Sequence, residues 1–379
     1  MGRKKILVMG ADDLPGGVSS YVNELIRLCS KEKYEFHMTV SGAKLSGIII
    51  NSSIIRHILP VKYSILTILP QTLRLRHLIT TKGIELLHLH TARAGFIGCI
   101  AAIGLSVPII YTGHSWRYEQ KYKWIFKKLF YCFEKFICHR ANIVTFCTEF
   151  DKEFGIKNKL AKESKGVVIA TRMNTSDYEN IKRDEVSTIR KGLNIPDDAL
   201  VIGTIGYMSE RKDPLTFVRI AGMVLRDVPD AFFLWVGDGD LKEKATQLSK
   251  ELGIGNRFIV TGFITSDRIP LYLKLMKIFL FTSHFEGVPL SIMAAQASSL
   301  PIVCSNYKGS GIDELIVHGK TGYIFNPSDA ETASRYVMTI IENPDETKQL
   351  IEQMVISFVN THGNPIIMAK EYEKIYDAL

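Results

Sequence analysis

Six cysteines are scattered through 379 residues without one C-x-x-C pair, so neither a zinc knuckle nor a redox dithiol is indicated. Cys29, Cys99, Cys132, Cys138, Cys147 and Cys304 are expected to be buried thiols. A G-x-G-x-x-G fingerprint is absent after the first apolar run, which argues against a nicotinamide or flavin enzyme. No apolar stretch approaches the roughly 20 residues that span a bilayer. The most apolar run, Ala94 to Tyr111, is broken by Gly98, Gly104 and Pro108 and predicts a buried helix followed by a strand. The opening M-G-R-K-K-I-L-V-M-G enters a strand pattern with no apolar signal region or small-residue cleavage site, and predicts a cytoplasmic protein. A hydrophobic share of 46% with 23% charged residues excludes a disordered chain.

The length suits two domains with full cores. A formal net charge of +8 favours polyanionic partners, whether nucleic acid, nucleotides or an anionic membrane surface. Short apolar strands alternate with helical patterns through both halves, which predicts two parallel, doubly wound α/β sheets.

The most informative stretch is Ser283 to Pro301, S-H-F-E-G-V-P-L-S-I-M-A-A-Q-A-S-S-L-P. A strand, Ile278 to Phe281, runs into it, and an Ala-rich helix is expected from about Pro289, a residue suited to a first helical turn. Glu286 lies in the turn between them. The N–H groups of Leu290 and Ser291 would project from the helix start, where the dipole favours an anion. The plain alternative is a strand-to-helix turn with a solvated glutamate.

In the first half, Lys5 to Gly10 reads as a strand, followed by A-D-D-L-P-G-G and a helix with Val18, Tyr21, Val22, Leu25 and Ile26 on one face. Gly16 and Gly17 would let the backbone approach a ligand or take positive φ. The strand I-E-L-L-H-L-H carries His88 and His90 on one face, but no third metal ligand follows at useful spacing. The strand V-P-I-I-Y-T-G-H ends at His114, and ligands gather at the carboxyl ends of strands in open α/β sheets. Residues 117–140 are the most basic and aromatic part of the chain. Phe126, Phe130, Phe133 and Ile137 form a helical stripe near Lys123, Lys127, Lys128 and Lys135. Such a helix either lies on an anionic membrane or packs in the core with its lysines snorkelling to water. No recognition-module signature supports binding of nucleic acid.

Asp177 to Pro196 reads as a linker with a short helix, and a second α/β half restarts at A-L-V-I-G-T-I-G-Y-M-S-E-R-K-D-P. The pair Asp238 and Asp240 in V-G-D-G-D has a spacing that could hold a metal–diphosphate complex, and equally fits a turn after a strand.

With these motifs in order, the chain resembles the retaining glycosyltransferases of family four, also called glycosyl transferases group 1, of the surface-polysaccharide type. Glu286 matches the donor-sugar glutamate of their E-G-x-P element. A second glutamate eight residues on, which contacts ribose, is replaced by Ala294. Gly16 and Gly17 match a G-G loop near the donor phosphates and acceptor, H-L-H-T-A-R-A-G matches an H-x-H-x-x-x-A-G segment, and His114 matches a histidine beside the donor's reacting centre. Thr171, Arg172, Met173 and Asn174 stand where an N-G-V-D turn closes the first domain. Of the family's G-R-x-x-x-x-K-G pattern, Lys212 matches the lysine that grips the diphosphate, while Tyr207 takes the arginine's place. Arg211 or Arg172 could restore that charge. D-G-D matches a G-D-G turn that needs no metal, and Phe263 lies where the base is read. Glu314 and Gly322 match a segment behind the donor site.

The resemblance implies a glycosyltransferase B fold: two Rossmann-like domains facing a cleft. Residues 1–175, completed by a C-terminal helix over 362–379, would receive the acceptor, and 176–361 the donor. It implies a metal-independent enzyme without a cofactor, acting on a UDP- or GDP-linked nucleotide sugar, a substrate rather than a cofactor. The sugar would pass to a lipid-linked or saccharide acceptor at the inner face of the plasma membrane. His114, Glu286 and Lys212 would be catalytic. Gly16, Gly17, Arg172, Arg211, Lys212, Phe263, Glu286, Gly287, Val288, Leu290 and Ser291 would bind donor. The competing expectation is a family member that has lost catalysis and serves as a glycan-binding or partner-stabilising subunit.

Overall fold

The computed structural model describes residues 2–10, 16–40, 54–59, 67–116, 123–179, 181–306 and 311–379. The chain divides into two compact units. The first comprises Met1–Thr171 with Pro365–Leu379, the second Arg172–Asn364.

In the first unit the described strands are β1 (Lys4–Met9), β2 (Tyr34–Val40), β3 (Ile55–Ile58), β4 (Leu86–His90), β5 (Ile109–Gly113), β6 (Ile143–Phe146) and β7 (Gly166–Val168). They form one parallel sheet in the order β3-β2-β1-β4-β5-β6-β7. Central strands are buried on both faces, which is why β4 reads L-L-H-L-H with every residue inaccessible. Strand order reverses between β1 and β4, and ligands collect at such a switch point. There the backbones press together: a Cβ on Gly10, which has φ +103°, would lie 1.8 Å from the His90 carbonyl oxygen, so only glycine fits. The helix Pro365–Ala378 buries Met368, Ala369, Tyr372 and Tyr376, and packs on the helix Gly17–Leu28.

The second unit holds β8 (Val201–Ile205), β9 (Phe232–Val236), β10 (Phe258–Val260), β11 (Ile278–Phe281), β12 (Ile302–Ser305) and β13 (Tyr323–Phe325). These also pair in parallel, in the order β10-β9-β8-β11-β12-β13, with the reversal between β8 and β11. One sheet face packs Leu234, Phe279 and Ile302 with Ile292 and Met293 of the helix Leu290–Ala297. The other packs Trp235, Leu280 and Val303 with Phe217 and Val218 of the helix Pro214–Asp227. That second helix starts sharply because Asp213 caps it, accepting from the Thr216 N–H at 3.1 Å, with Pro214 in the first turn.

Several local expectations need correction. Pro289 is the N-cap, not a helical residue, and the helix begins at Leu290. Two helices, Ser176–Glu179 and Arg183–Gly192, occupy the expected linker. Five cysteines are buried, but Cys132 is exposed, because the helix Trp124–Arg140 turns that face outward. The apolar stripe of this helix also runs differently. Phe133 packs against Phe96, with ring centroids 4.7 Å apart, and Ile137 is in the core. Trp124, Ile125, Phe126 and Leu129, near its start, are exposed. Residues 117–122 of that basic stretch and 11–15 of the glycine loop lie outside the described residues. No helix among the described residues is long and apolar enough to cross a membrane.

Candidate active site

In the second unit, the exits of β8 and β11 bring the adjacent pair Arg211 and Lys212 onto Glu286, 75 residues further along the chain. Lys212 Nζ lies 2.7 Å from Glu286 Oε1, and Arg211 Nη1 lies 2.6 Å from Oε2. Ser283 Oγ donates to Oε1 at 3.0 Å. The Glu286 side chain is 9% exposed and that of Lys212 12%, whereas Arg211 is 51% exposed and opens the cluster to solvent. The Lys212 ammonium also sits 4.6 Å from the centre of the Phe281 ring, a cation–π contact.

The loops holding these groups are tied to each other. Thr282 Oγ1 donates to the carbonyls of Lys212 and Asp213, and the His284 N–H donates to the Arg211 carbonyl at 2.7 Å. Ser305 on β12 donates to the Ser283 carbonyl. The cluster is therefore held by backbone contacts among three neighbouring strand exits, and does not depend on long side chains finding one another.

Its charge is unbalanced. Burial pushes the Lys212 ammonium down; Glu286 opposes this, Arg211 adds to it, and the net shift is downward. Burial pushes the Glu286 carboxyl up, but Lys212, Arg211 and the hydrogen bonds from Lys212 and Ser283 outweigh it, so the carboxyl is held below its ordinary range. Two cations face one carboxylate: burial first, with Arg211 beside it, lowers Lys212, and the two cations together hold Glu286 ionised against its burial. Beside it, the N–H groups of Leu290 and Ser291 have no acceptor among the described residues, and the buried Ser291 hydroxyl has no partner. A cation pair, free N–H donors and a hydroxyl at a strand switch point form a receptor for an anion.

The other expected donor contacts are dispersed. Gly287 and Val288 continue the Glu286 turn, with Val288 packed on the core. Phe263 is 60% exposed just beyond β10, after Gly262 at φ +74°. Arg172 makes no ion pair with the Glu286 cluster. Two of its guanidinium nitrogens are buried without partners, and its charge, after burial, helps hold His362 down at about 4. Tyr207, in the expected arginine position, is exposed and donates to Asp240 at 2.7 Å, while Asp238 lies 3.4 Å from Lys242. Both carboxylates of the D-G-D turn are thus engaged within the protein. Ala294, in the expected ribose position, is 4% exposed and part of the core.

In the first unit, Gly16 is the extended N-cap of the helix Gly17–Leu28, so neither glycine takes a positive φ; both are exposed. His114, just past β5, has its Nε2 3.0 Å from His90 Nδ1 and its Nδ1 3.6 Å from Cys147 Sγ. His88 bridges Tyr376 (2.8 Å) and Thr112 (2.7 Å), and Tyr372 meets Tyr21, Thr112 and Thr145. Burial holds His88 down at about 3 and His114 at about 4, lowers His90, and pushes the Cys147 thiol up to about 12. The cluster is neutral at ordinary pH. His90 Nε2 is the one ring nitrogen of these three histidines that is buried without a partner among the described residues.

Sequence reasoning missed Ser283, Cys147, Tyr21, Tyr372 and Tyr376 as members of these clusters. A signal existed for two: Tyr372 and Tyr376 are four apart in E-Y-E-K-I-Y and must share a helix face.

Comparison with known proteins identifies these features. A family model described as "Glycosyl transferases group 1" matches residues 185–354, and one described as "Glycosyltransferase Family 4" matches 15–176. The chain is 25% identical over 358 residues to the capsular polysaccharide biosynthesis glycosyltransferase CapM of Staphylococcus aureus, covering 93% of this chain and 92% of CapM. It is 24% identical over 313 residues to the Escherichia coli UDP-Gal:alpha-D-GlcNAc-diphosphoundecaprenol alpha-1,3-galactosyltransferase, covering 79% and 76% of the two chains. Among solved structures, Anabaena HepE in complex with UDP and glucose superposes with a TM-score of 0.84 at 17% identity, over 100% of each chain. Sucrose-phosphate synthase from Thermosynechococcus elongatus gives 0.82 at 18% identity, also over 100% of each. Such neighbours carry the glycosyltransferase B fold. With one model over each unit and this fold throughout, the chain belongs to the family 4, group 1 glycosyltransferases.

Proposed function

We propose that this glycosyltransferase is a retaining enzyme that transfers a sugar from a nucleotide-sugar donor to a lipid-linked or saccharide acceptor in bacterial-type surface-polysaccharide assembly. UDP is the favoured nucleotide and GDP the alternative. The observation that carries the reading is the pair Arg211 and Lys212 closed on Glu286, with a surplus positive charge beside unpaired helix-start N–H groups. UDP in the HepE complex and UDP-Gal in the name of the E. coli relative support the nucleotide. The diphosphoundecaprenol in that relative's name supports a lipid-linked acceptor.

In the proposed reaction the acceptor hydroxyl attacks the anomeric carbon from the face the nucleotide leaves. The new C–O bond forms as the bond to the diphosphate breaks, and the hydroxyl proton passes to the departing phosphate oxygen. Negative charge grows on the diphosphate, where Lys212, Arg211 and the N–H groups of Leu290 and Ser291 stabilise it most. Glu286 holds donor hydroxyls, and His114, its two ring nitrogens engaged by His90 and Cys147, adds a rigid ring without a charge. Two fixed cations supply the charge compensation that a divalent ion gives elsewhere, so turnover is metal-independent. The exposed Trp124, Ile125, Phe126 and Leu129, with Lys123 and Lys128 beside them, suit an anionic membrane surface. They support a peripheral position on the inner face of the plasma membrane.

Calorimetric titration with uridine, guanosine and adenosine diphosphates and their sugar conjugates, with and without magnesium, tests the reading. Micromolar binding of one base, unchanged by magnesium, is expected. A folded protein that binds none of them would instead favour the catalytically impaired, glycan-binding alternative.

A further inference from the structure

We propose that Glu286 is also a place-holding anion: in the empty protein its carboxylate occupies the two cations that a donor diphosphate takes, and it is released to the donor's hydroxyls only when the diphosphate displaces it. The inference rests on reading Arg211 and Lys212 as diphosphate ligands.

A carboxylate has two oxygens and about four acceptor directions. Oε1 already receives Lys212 at 2.7 Å and Ser283 at 3.0 Å, and Oε2 receives Arg211 at 2.6 Å. The group is 9% exposed, so solvent-side room for further donors is scarce. In this arrangement Glu286 cannot both neutralise two cations and orient a sugar. The reverse constraint holds for the cations. A diphosphate reaching Lys212 must compete with a buried carboxylate already in contact, and unpaired buried charges are too costly for Lys212 simply to wait alone.

An exchange of partners resolves both constraints. Arg211 is half exposed and can swing to an incoming anion first. Lys212 follows, and the unpaired N–H groups of Leu290 and Ser291 add donors that Glu286 does not use. A diphosphate carries more charge than one carboxylate, so the surplus of the cluster favours the exchange. Glu286, still held by Ser283, then faces hydroxyls with at least two acceptor directions open. Nucleotide recognition therefore precedes sugar recognition. After transfer, re-pairing of Glu286 with Lys212 and Arg211 helps to expel the nucleoside diphosphate.

Calorimetry with inorganic pyrophosphate and UDP, on wild type and Glu286→Gln, tests this. The variant should bind both probes about tenfold or more tightly, the scale of one charge-assisted hydrogen bond no longer broken on binding. Any affinity that a UDP-sugar gains over UDP in wild type should disappear in the variant. Because the substitution leaves two cations unpaired and can impair folding, Glu286→Asp serves as a second variant. Its shorter carboxylate cannot reach both cations, so its melting temperature should rise more on adding UDP than that of wild type. Equal or weaker binding of pyrophosphate and UDP by the variants, with wild type binding UDP, overturns the inference alone. If no form of the protein binds UDP or pyrophosphate, the donor reading falls and the inference with it.

Discussion

The two units place polar clusters at the carboxyl ends of central strands in similar sheets, one strand apart in position, yet build them from opposite materials. At the β8/β11 exits, Lys212, Arg211 and Glu286 are charged, and their positions follow from that charge. At the β4 and β5 exits, His90 and His114 are neutral, embedded among tyrosines, threonines and a protonated thiol. In the proposed reaction, the charged cluster meets a ligand whose charge changes. The neutral one holds its members in fixed directions without adding charge. The same architecture thus supports a site for charge and a site for geometry.

The largest break in this contrast should come from Lys212→Ala. It removes the buried cation, and turnover is expected to fall by about 100-fold to 1,000-fold, the range for losing one fixed donor to a developing anion. Initial rates at saturating donor check it, and an unchanged rate would remove Lys212 from the chemistry. His114→Phe should come next: turnover with the UDP-sugar falls about tenfold to 100-fold, while UDP affinity by calorimetry stays at the wild-type value. Loss of UDP binding in that variant would contradict the division of labour.

A third test sharpens the neutral side through pH. His88 and His114 are held at about 3 and about 4 against an ordinary value of 6.5, and His90 is also lowered. Between those values and 6.5 the unfolded chain binds protons that the native protein does not, so stability rises with pH across the window. Their contribution is present above about pH 6.5 and is lost as pH falls toward 4. Melting temperature should drop steadily from pH 7 to 5, and His88→Asn, if folded, should show a shallower slope. The smallest effect is expected at the outer surface: Trp124→Ser with Phe126→Ser should reduce co-flotation with anionic vesicles several-fold, the scale of two exposed apolar anchors, with little change in melting temperature.

Much of this architecture was legible in the residues. Continuous apolar runs such as F-F-L-W-V mark parallel strands buried on both faces, and E-G-V-P after I-F-L-F located Glu286 at a strand exit. Arg211 as a replacement for the diphosphate arginine missing at Tyr207 was one of two open choices, and its pairing with Glu286 was not foreseen. Both arginines follow strands, and only three-dimensional pairing separates the one 2.6 Å from the carboxylate from the one beside His362. Ala294 was read as a missing ligand, whereas its burial makes it a packing residue. The stripe on the helix Trp124–Arg140 was misread because 3.6-residue periodicity identifies an apolar face without saying which neighbour covers it.

The helix Pro365–Ala378 has a consequence for how the molecule is made. Tyr372 and Tyr376 fill the first unit's polar interior, and the Tyr21–Tyr372 hydrogen bond joins residues 351 apart. Contacts of such separation are slow to form, since the entropy of closing the loop is lost before the contact repays it. During synthesis, the first unit therefore emerges early but waits without the tyrosine partners of His88 Nδ1 and the Tyr21 hydroxyl, while the second unit has every strand it needs before residue 365. The half that begins the chain is the half that finishes folding last.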